Sequence, residues 1–465
     1  MRRFCSAFSR SFCAKRSLTV LAIETSADDC CAAIVNSSKN VLSHKRVSFD
    51  ESQRKLRGIL PSLSGQLHRS NIDRLVDECI DEAGIRFDDL DAIGATVKPG
   101  LVLCLKVGAD KSLGTLQEYN RNFIPIHHMR AHALVSRLVF DDVEFPFLCL
   151  LISGGHSILC VVKSAEHFEI LGQAISMSPG EAIDKVARSA GIIPKIHYGS
   201  EVEEYAKSSS EFLRYVDRMP HVKGTDFDFT TIRHFFEHTL RNKKDINLND
   251  FCANLQFIVA GHLCQKLVIA FQYLESAGAF ESNQRKSLVV SGGVAANSVI
   301  RSSVEKIATH YGYNTRIPPK DLVVDNAIMC AWTAIEMILA GTNDYFPSDK
   351  LPSSVYVEAK SPIGTDLREE VIAFQPEHKL RLLSMNPNVK TPDVQIDLFV
   401  NKLFVVGIVG ITLSTIEHII IAHYLRSFYS VCQLMLAQQA LHDKYLKNFE
   451  FQLRSSEKAS IKFRS

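Results

Sequence analysis

The amino-acid sequence predicts an α/β protein built from two domains. Three apolar strands run directly into glycine-containing turns, at residues 91–101, 145–155 and 288–293, and helical periodicity follows the first and the third. The chain has 465 residues, which is more than one hydrophobic core usually supports. Hydrophobic residues make up 46% of the chain and charged residues 22%, which is typical of a globular protein.

Net charge and cysteine spacing exclude several classes. The formal charge is only +2, so any contact with nucleic acid requires a local basic patch, because no strong overall positive field exists. The 12 cysteines contain no Cys-x-x-Cys pair. This spacing fits neither a zinc ribbon nor a disulfide framework, and it indicates reduced thiols in an intracellular compartment.

The first segment, residues 1–17, precedes the first acidic residue, Glu24, and contains four arginines, one lysine, four serines and three phenylalanines. An acid-free, Arg- and Ser-rich amphipathic leader is typical of a mitochondrial transit peptide. A disordered basic tail is the alternative.

A strand, a polar turn and a second strand are predicted over residues 18–35. The turn gathers carboxylates and hydroxyls, which suits either a turn that faces a ligand or a plain hairpin. Helical periodicity follows over residues 61–86, and a buried strand over 91–97 leads through Lys98-Pro99-Gly100-Leu101 into a helix that reaches Leu116. A strand, a Pro-Gly turn and a helix start place backbone N–H groups where they can face a phosphate.

The segment Ile126-His127-His128-Met129-Arg130-Ala131-His132 predicts a helix that holds a cation. Helix formers surround the histidines, and side chains four residues apart lie on one helical face. The metalloprotease pattern has a Glu after the first His as general base, whereas this chain has Met129. The sequence therefore predicts a cation site without a hydrolytic base, and a pair of partly exposed surface histidines is the alternative.

Two further stretches predict glycine loops that grip a ligand. The apolar strand over 145–152 ends in Ser153-Gly154-Gly155-His156-Ser157, and Leu288-Val289-Val290 ends in Ser291-Gly292-Gly293. Glycine allows close approach of the backbone to a ligand, and two such loops can hold one nucleotide. A hairpin turn is also compatible with the first, since residues 158–162 read as a strand.

Helices are predicted after Ser178-Pro179-Gly180, over residues 250–276 and from Asp325-Asn326 through Ile338. Asp325 lies at the start of its helix, where a carboxylate is favoured. Beyond residue 380 the apolar run 403–416 is too short to span a membrane, so we expect a buried or surface-associated helix and no stable membrane insertion.

In unbroken order over residues 18–375, these stretches resemble the family of transferases that place threonylcarbamoyl on tRNA adenosine, in its mitochondrial form, once called O-sialoglycoprotein endopeptidases. The resemblance rests on Glu24-Thr25-Ser26, Pro99-Gly100-Leu101, His128-x-x-x-His132, Ser153-Gly154-Gly155-His156, Gly180-Glu181-Ala182-x-Asp184-Lys185, Ser291-Gly292-Gly293-Val294-x-Ala296-Asn297 and Asp325-Asn326. Each motif is weak alone, but all seven in order are specific.

The resemblance implies an actin-like, sugar-kinase-like ATPase fold, with two lobes around a nucleotide cleft and an added helical C-terminal extension. It implies one divalent cation per subunit, iron or zinc, held by His128, His132 and Asp325. It also implies substrate contacts that resemble those of the family, without an assigned catalytic side chain: Leu151, Ile152, Ser153, Gly154, Gly155, Asp184, Gly199 and Asn297.

By resemblance, the expected domains are a transit peptide (1–17), an N-terminal lobe with the histidine helix (18–147) and a C-terminal lobe with the adenylate loops (148–345). A final family segment (346–380) and an extension of unknown role (381–465) complete the chain. One departure from the bacterial pattern is Arg130, which replaces a Glu and places a cation beside the site, where it could favour an anionic substrate or tRNA.

The implied activity is transfer of threonylcarbamoyl from threonylcarbamoyl-AMP, supplied by a separate synthase, to the exocyclic amine of the adenosine 3′ of the anticodon. The expected substrates are mitochondrial tRNAs that read codons beginning with A, the expected location is the mitochondrial matrix, and a homodimer is expected. The alternatives are a metal-dependent glycoprotein endopeptidase and a non-catalytic binding subunit.

Overall fold

The computed structural model describes residues 17–48, 60–195, 197–211, 214–215, 223–281, 284–382, 396–400 and 403–405. Residues 1–16 lie outside these ranges, so the transit peptide stays a prediction. Among the described residues, those up to 374 form one compact unit and those from 375 onward belong to a second.

The first sheet has five strands in the order β3-β2-β1-β4-β5. Strand β1 pairs antiparallel with β2 and parallel with β4, β2 pairs antiparallel with β3, and β4 pairs parallel with β5. The strands are Thr19–Glu24 (β1), Asp29–Asn36 (β2), Val41–Ser48 (β3), Ala92–Lys98 (β4) and Asn122–His127 (β5).

The second sheet has six strands in the order β10-β9-β6-β7-β8-β11. They are Phe147–Ile152 (β6), Ser157–Val162 (β7), Phe168–Gln173 (β8), Ser287–Ser291 (β9), Asn314–Arg316 (β10) and Thr365–Asp366 (β11). Strand β6 pairs antiparallel with β7 and parallel with β9, β7 pairs antiparallel with β8, and β9 pairs parallel with β10.

The two sheets repeat one topology. Strands β6, β7, β8, β9 and β10 occupy the places that β1, β2, β3, β4 and β5 occupy in the first sheet, with the same parallel and antiparallel neighbours. This duplicated α/β arrangement confirms the predicted two-lobed, actin-like fold class.

Eleven helices are described in the first unit. They are Pro61–Ala83 (α1), Val102–Tyr119 (α2), His128–Val139 (α3), Pro179–Ser189 (α4), Tyr198–Lys207 (α5), Phe229–Asn242 (α6), Leu248–Ser276 (α7), Ser298–His310 (α8), Lys320–Val323 (α9), Ala327–Ala340 (α10) and Arg368–Ala373 (α11). Short 3-10 turns cover Phe87–Asp89, Gly293–Ala296 and Ser348–Lys350.

Helices α3 and α10 lie between the two sheets. They share one buried core with one face of the first sheet, through Val20 and Ala22, and with the second sheet, through Cys149 and Leu151. Burial on both sides explains why α10 is almost continuously apolar. The lobe boundaries stay a prediction, and α10, which lies in the range expected for the second lobe, packs against β1 and α3.

The start of α10 is fixed by its cap. The Oδ1 atom of Asn326 accepts a hydrogen bond of 2.9 Å from the backbone N–H of Met329, and Gly341 ends the helix in the left-handed conformation with φ +73°. Because the start is fixed in this way, the preceding residue, Asp325, is held at the helix N-terminus.

Helix α7 is long and apolar enough to cross a membrane by length and composition, and it is the single such helix among the described residues. In its most apolar window 83% of the residues are buried inside the protein. The helix packs against α5 and α8, as the central helix of a globular domain does.

In the second unit the described residues form a three-stranded antiparallel sheet of His378–Leu382 (β12), Ile396–Val400 (β13) and Leu403–Val405 (β14). The prediction of a helical extension was wrong for these residues. Isoleucine, valine and phenylalanine favour paired strands, and the ladder hydrogen bonds outweigh a short apolar run that suggested helix. The rest of the predicted helix over 403–416 lies outside the described residues.

Candidate functional site

The two histidines of α3 and the aspartate before α10 converge on one point. The Nε2 atoms of His128 and His132 are 3.2 Å apart. The Oδ1 atom of Asp325 lies 3.0 Å from Nε2 of His132 and 3.5 Å from Nε2 of His128. These residues, predicted from the helical spacing and from the family resemblance, form the one His/Cys/Asp/Glu group among the described residues whose ligand atoms can share a metal ion.

The spacing of these atoms fits a cation. Ligand atoms bound about 2.0–2.2 Å from one ion lie roughly 3.3–3.6 Å apart in tetrahedral geometry and about 2.8–3.1 Å apart in octahedral geometry. The three separations are 3.0, 3.2 and 3.5 Å: the first lies in the octahedral range, the third in the tetrahedral range, and the second between the two. The histidine side chains are only 7% and 4% exposed and the carboxylate is 27% exposed, so the site is open on the side of Asp325.

Neighbouring charges shift the pKa values of two groups at the site, Asp325 and His128. Burial works against ionisation of Asp325, but the adjacent His128 and His132 hold the pKa of its carboxyl well below the usual value. Burial likewise disfavours charge on His128, but Glu24 and Asp325 raise the pKa of its imidazole well above the usual value. Without a cation, the proton on the His128 imidazole therefore balances the negative charges of Glu24 and Asp325.

The far side of His128 contacts residues that sequence analysis did not place at the cation site. Its Nδ1 atom lies 3.2 Å from Oε2 of Glu24 and 3.2 Å from Oγ of Ser26. Glu24 is the last residue of β1, and Ser26 lies in the polar turn that follows this strand. The concentration of carboxylates and hydroxyls in that turn was the one sequence signal that could have indicated them.

The two Ser-Gly-Gly loops lie side by side. Strands β6 and β9 are parallel neighbours, with Leu151 opposite Ser291, so the loops leave the same edge of the sheet. Gly292 has φ +101°, and a Cβ atom there would collide with the carbonyl of Ile152. Only glycine permits this approach of the two loops.

A second glycine contact joins the first loop to α4. A Cβ atom on Gly180 would lie 2.9 Å from Cα of Gly154 and 2.9 Å from the carbonyl oxygen of Ser153. The hydroxyl of Ser178 donates a hydrogen bond of 2.6 Å to the Gly154 carbonyl and accepts one from the N–H of Glu181. The exposed backbone of Gly154 and Gly155 is thus held on the start of α4.

The other predicted substrate residues have different surroundings. The side chains of Leu151 and Ile152 are buried in the core, so only their backbone can face a ligand. Asp184 lies on α4, where burial raises the pKa of its carboxyl to about 6, with Arg188 acting in the opposite direction and Glu181 adding to the rise. Gly199 lies in the first turn of α5 with open space around it.

Asn297 is nearly saturated by the protein. Its Oδ1 atom accepts hydrogen bonds of 3.1 Å from the N–H groups of both Val299 and Ile300 at the start of α8. Its Nδ2 atom donates one bond of 3.0 Å to Oε1 of Gln256 on α7. An amide has two N–H donors and one oxygen with two lone pairs. Among the described residues, its second N–H donor has no partner and is available to a ligand.

The first loop lies close to the cation site. Burial, together with the charges of His128 and His132, lowers the pKa of His156 to about 4. His156 closes the Ser153 loop, because its carbonyl accepts a bond of 2.9 Å from the Ser153 N–H. The loop therefore lies within electrostatic reach of the histidine pair.

Arg130 has a packing role that the sequence did not predict. Its Nε atom donates a hydrogen bond of 3.2 Å to the carbonyl of Ile363, and its guanidinium lies 5.5 Å from the centre of the Phe168 ring. The expectation that its charge favours an anionic substrate or tRNA stays a prediction, because the bond to Ile363 uses the Nε–H and leaves the charge of the guanidinium in place. Consecutive residues of α3 point to different sides of the helix, so Arg130 does not share the face of His128 and His132.

Fold and site together define an α/β protein of duplicated topology with a His–His–Asp group that could bind a metal ion and with paired glycine loops. Residues 40–332 match the family model TsaD, described as tRNA N6-adenosine threonylcarbamoyltransferase. The chain is 39% identical to a probable mitochondrial tRNA N6-adenosine threonylcarbamoyltransferase of Caenorhabditis elegans, over 80% of this chain and 90% of that protein. It is 37% identical to the mitochondrial enzyme of Homo sapiens, over 76% of this chain and 87% of that protein.

Among solved structures, the chain is similar to HypF of T. kodakarensis, with 12% identity and a TM-score of 0.49, over 70% of this chain and 48% of that chain. The chain belongs to the TsaD family of tRNA N6-adenosine threonylcarbamoyltransferases. The predictions of a transferase that modifies tRNA and of a mitochondrial protein are thereby confirmed.

Proposed function

We propose that this enzyme transfers threonylcarbamoyl from threonylcarbamoyl-AMP to the N6 amine of the adenosine 3′ of the anticodon, in mitochondrial tRNAs that read codons beginning with A. The observation that carries the proposal is the convergence of His128, His132 and Asp325, whose ligand atoms lie within 4.8 Å of one another. The adjacent glycine loops offer backbone N–H groups for the adenylate, and the matrix is the compartment where these tRNAs occur.

The substrate residues act through different groups in this proposal. Gly154 and Gly155 present backbone to the phosphate, since no side chain intervenes, and Ser153 stabilises their turn by accepting N–H bonds from Gly155 and His156 at 3.3 and 3.0 Å. Asn297 donates its remaining N–H to an acceptor on the nucleoside. Asp184 and Gly199 line the nucleoside side.

In the proposed step the N6 nitrogen forms a bond to the carbamoyl carbon, and the bond from that carbon to the phosphate oxygen breaks. AMP leaves with the electron pair, and the nitrogen loses one proton. No side-chain nucleophile is needed, because the leaving group is already activated. Asp29 is a candidate acceptor for the proton: burial raises the pKa of its carboxyl to about 7, although Arg46 acts to lower it through two hydrogen bonds of 3.1 and 2.9 Å.

His128, His132 and Asp325 would hold one divalent cation per subunit. Two imidazoles and one carboxylate suit iron or zinc. When bound, such a cation supplies Lewis-acid polarisation of the carbonyl that is attacked. The chain itself holds the three ligands in place and keeps the two imidazoles buried.

The test is a transfer assay with a synthase, threonine, ATP and tRNA. His128→Ala combined with His132→Ala should remove modification, and mass spectrometry of the nucleosides measures it. The matched control is His234→Ala with His238→Ala, an exposed pair with the same spacing on α6. Unchanged modification by the first double variant would contradict the proposal and favour a non-catalytic binding subunit, whereas cleavage of a glycoprotein by metal-loaded protein would favour the endopeptidase.

We also propose a homodimer, supplied with substrate by a separate synthase. Leu60, Val102 and Leu103 are exposed by 49, 45 and 48% at the neighbouring starts of α1 and α2. A Cβ atom on Gly65 would lie 3.5 Å from Cβ of Leu103, so the two helices are in contact there. Light scattering after size exclusion should give a dimer for the natural chain and a monomer for Leu103→Asp; a monomeric natural chain would contradict the proposal.

A further inference from the structure

Glu24 is a wholly buried carboxylate that touches a ligand of the cation site. It lies at the end of β1, and its side chain is 1% exposed. A buried carboxylate is costly unless it is hydrogen-bonded, so its partners show what holds it in the core. Four groups supply those bonds.

The two oxygens of Glu24 have different partners. Oε1 accepts a bond of 2.6 Å from the backbone N–H of Ser26. Oε2 accepts from the hydroxyl of Thr96 and from the thiol of Cys330, with the sulfur 3.4 Å away. The same Oε2 lies 3.2 Å from Nδ1 of His128.

We infer that Glu24 is the positioning residue of the cation site, because its Oε2 accepts the Nδ1–H of His128 and so leaves the lone pair on Nε2 for the cation. This inference deepens the proposed function and rests on it. A neutral imidazole carries one N–H and one lone pair, and an ionised carboxylate can only accept. A carboxylate at Nδ1 therefore selects the tautomer that can bind a cation through Nε2.

The second imidazole has no comparable support. The Nδ1 atom of His132 is buried and has no hydrogen-bond partner among the described residues. Of the two imidazoles, only that of His128 therefore has a carboxylate, Glu24, that fixes its tautomer among the described residues. Thr96 on β4 and Cys330 on α10 hold Oε2 in place, so three elements, β1, β4 and α10, jointly orient one ligand.

Glu24→Gln is the sharpest variant. The N–H of Ser26 is an obligate donor, so it draws the amide oxygen, and the amide N–H₂ then faces His128. A donor at Nδ1 forces that atom to accept, which puts the proton on Nε2 and removes the ligand. The opposite amide orientation leaves the Ser26 N–H facing a donor, so neither orientation serves both partners.

The experiment titrates the full-length protein with Co²⁺ and with Zn²⁺ against a chromophoric chelator, and it records the Co²⁺ d–d absorption. Loss of a partner of this kind costs about 10–100-fold in metal affinity, and we expect that loss and an altered d–d spectrum for Glu24→Gln. Glu118→Gln, an exposed change on α2, is the control and should bind as the natural chain does. Cys330→Ala should have a smaller effect, because a thiol is a weak donor.

Circular dichroism and the melting temperature establish that each variant is folded. If Glu24→Gln unfolds, Thr96→Val replaces it, since this change removes one donor to Oε2 and should weaken Co²⁺ binding several-fold. Natural affinity and a natural d–d spectrum in a folded Glu24→Gln or Thr96→Val protein would overturn the inference and leave the proposed function intact. A natural chain that binds neither metal would overturn both.

Discussion

Replacement of Asp184 by asparagine should stabilise the protein and weaken its reaction with substrate. Asp184 is half-buried on α4 beside the first glycine loop, and burial raises the pKa of its carboxyl from 3.8 to about 6. The folded protein therefore favours the protonated form. The resulting loss of stability is absent below pH 3.8, grows as the pH rises and is complete above about pH 6.

The size of the effect follows from the shift. About two pKa units at about 1.4 kcal/mol each give an upper limit of ~3 kcal/mol at pH 8, and about half of that at pH 5. Asparagine does not ionise, so Asp184→Asn avoids this loss. For a domain of this size the gain should raise the melting temperature by roughly 3–6 °C at pH 8.

The assay is differential scanning fluorimetry at pH 5 and pH 8, together with the transfer assay at pH 8. Asp77→Asn, an exposed change on α1, is the control and should leave the melting temperature nearly unchanged at both values of pH. A gain of equal size at pH 5 and pH 8, or no gain at pH 8, would refute the electrostatic reasoning. Natural transfer activity in Asp184→Asn would refute the placement of this carboxylate at the substrate.

Three further changes test the loops and the helices around the site. Gly292→Ala should abolish transfer and lower the melting temperature, because φ is +101° and the added methyl group meets the Ile152 carbonyl; activity within a few-fold of the natural value would contradict this. Arg130→Met should cost about 1–2 kcal/mol of stability in urea unfolding, through loss of the bond to Ile363, and titration should show unchanged cation affinity. Asn297→Asp should keep the helix cap, since both residues cap well. The change removes the N–H donor proposed to bind the nucleoside, so KM for the adenylate should rise about 10-fold or more. An unchanged KM would show that this N–H is not used.

Periodicity and motif spacing predicted the helices, the strands and the histidine pair whose geometry is set by residues close together in the sequence. The helices α1, α3 and α7 and the strands β4, β6 and β9 were all indicated by local patterns, because burial of one face imposes a local repeat. His128 and His132 were found together, since four residues span one helical turn. The strands β12, β13 and β14 were missed, because a short apolar run does not distinguish helix from strand.

Contacts between distant parts of the chain could not be predicted in this way. Glu24 and His128 are separated by 104 residues, and Cys330 and Glu24 by 306. Neither pair has a local spacing that signals contact. Arg130 shows the converse case: it is two residues from His128 in sequence, whereas helical direction turns its Nε toward the Ile363 carbonyl, a contact that the sequence did not predict.

Because the two sheets share one topology, residues of the proposed site lie at equivalent positions in both sheets. Strands β1 and β6 are equivalent, as are β4 and β9, and in each sheet the two are parallel neighbours. Ligands of open α/β sheets bind beyond the carboxyl ends of such strands. Glu24 ends β1, and Ser153 follows β6, so the residue that touches a cation ligand and the loop proposed for the adenylate occupy corresponding positions in the two lobes. Helix α3 begins at His128 and helix α10 begins shortly after Asp325. Both helices lie between the sheets, and they bring these two residues together near the carboxyl ends of the strands. A change that loosens either helix should therefore separate the cation site from the glycine loops, even where every predicted ligand is retained.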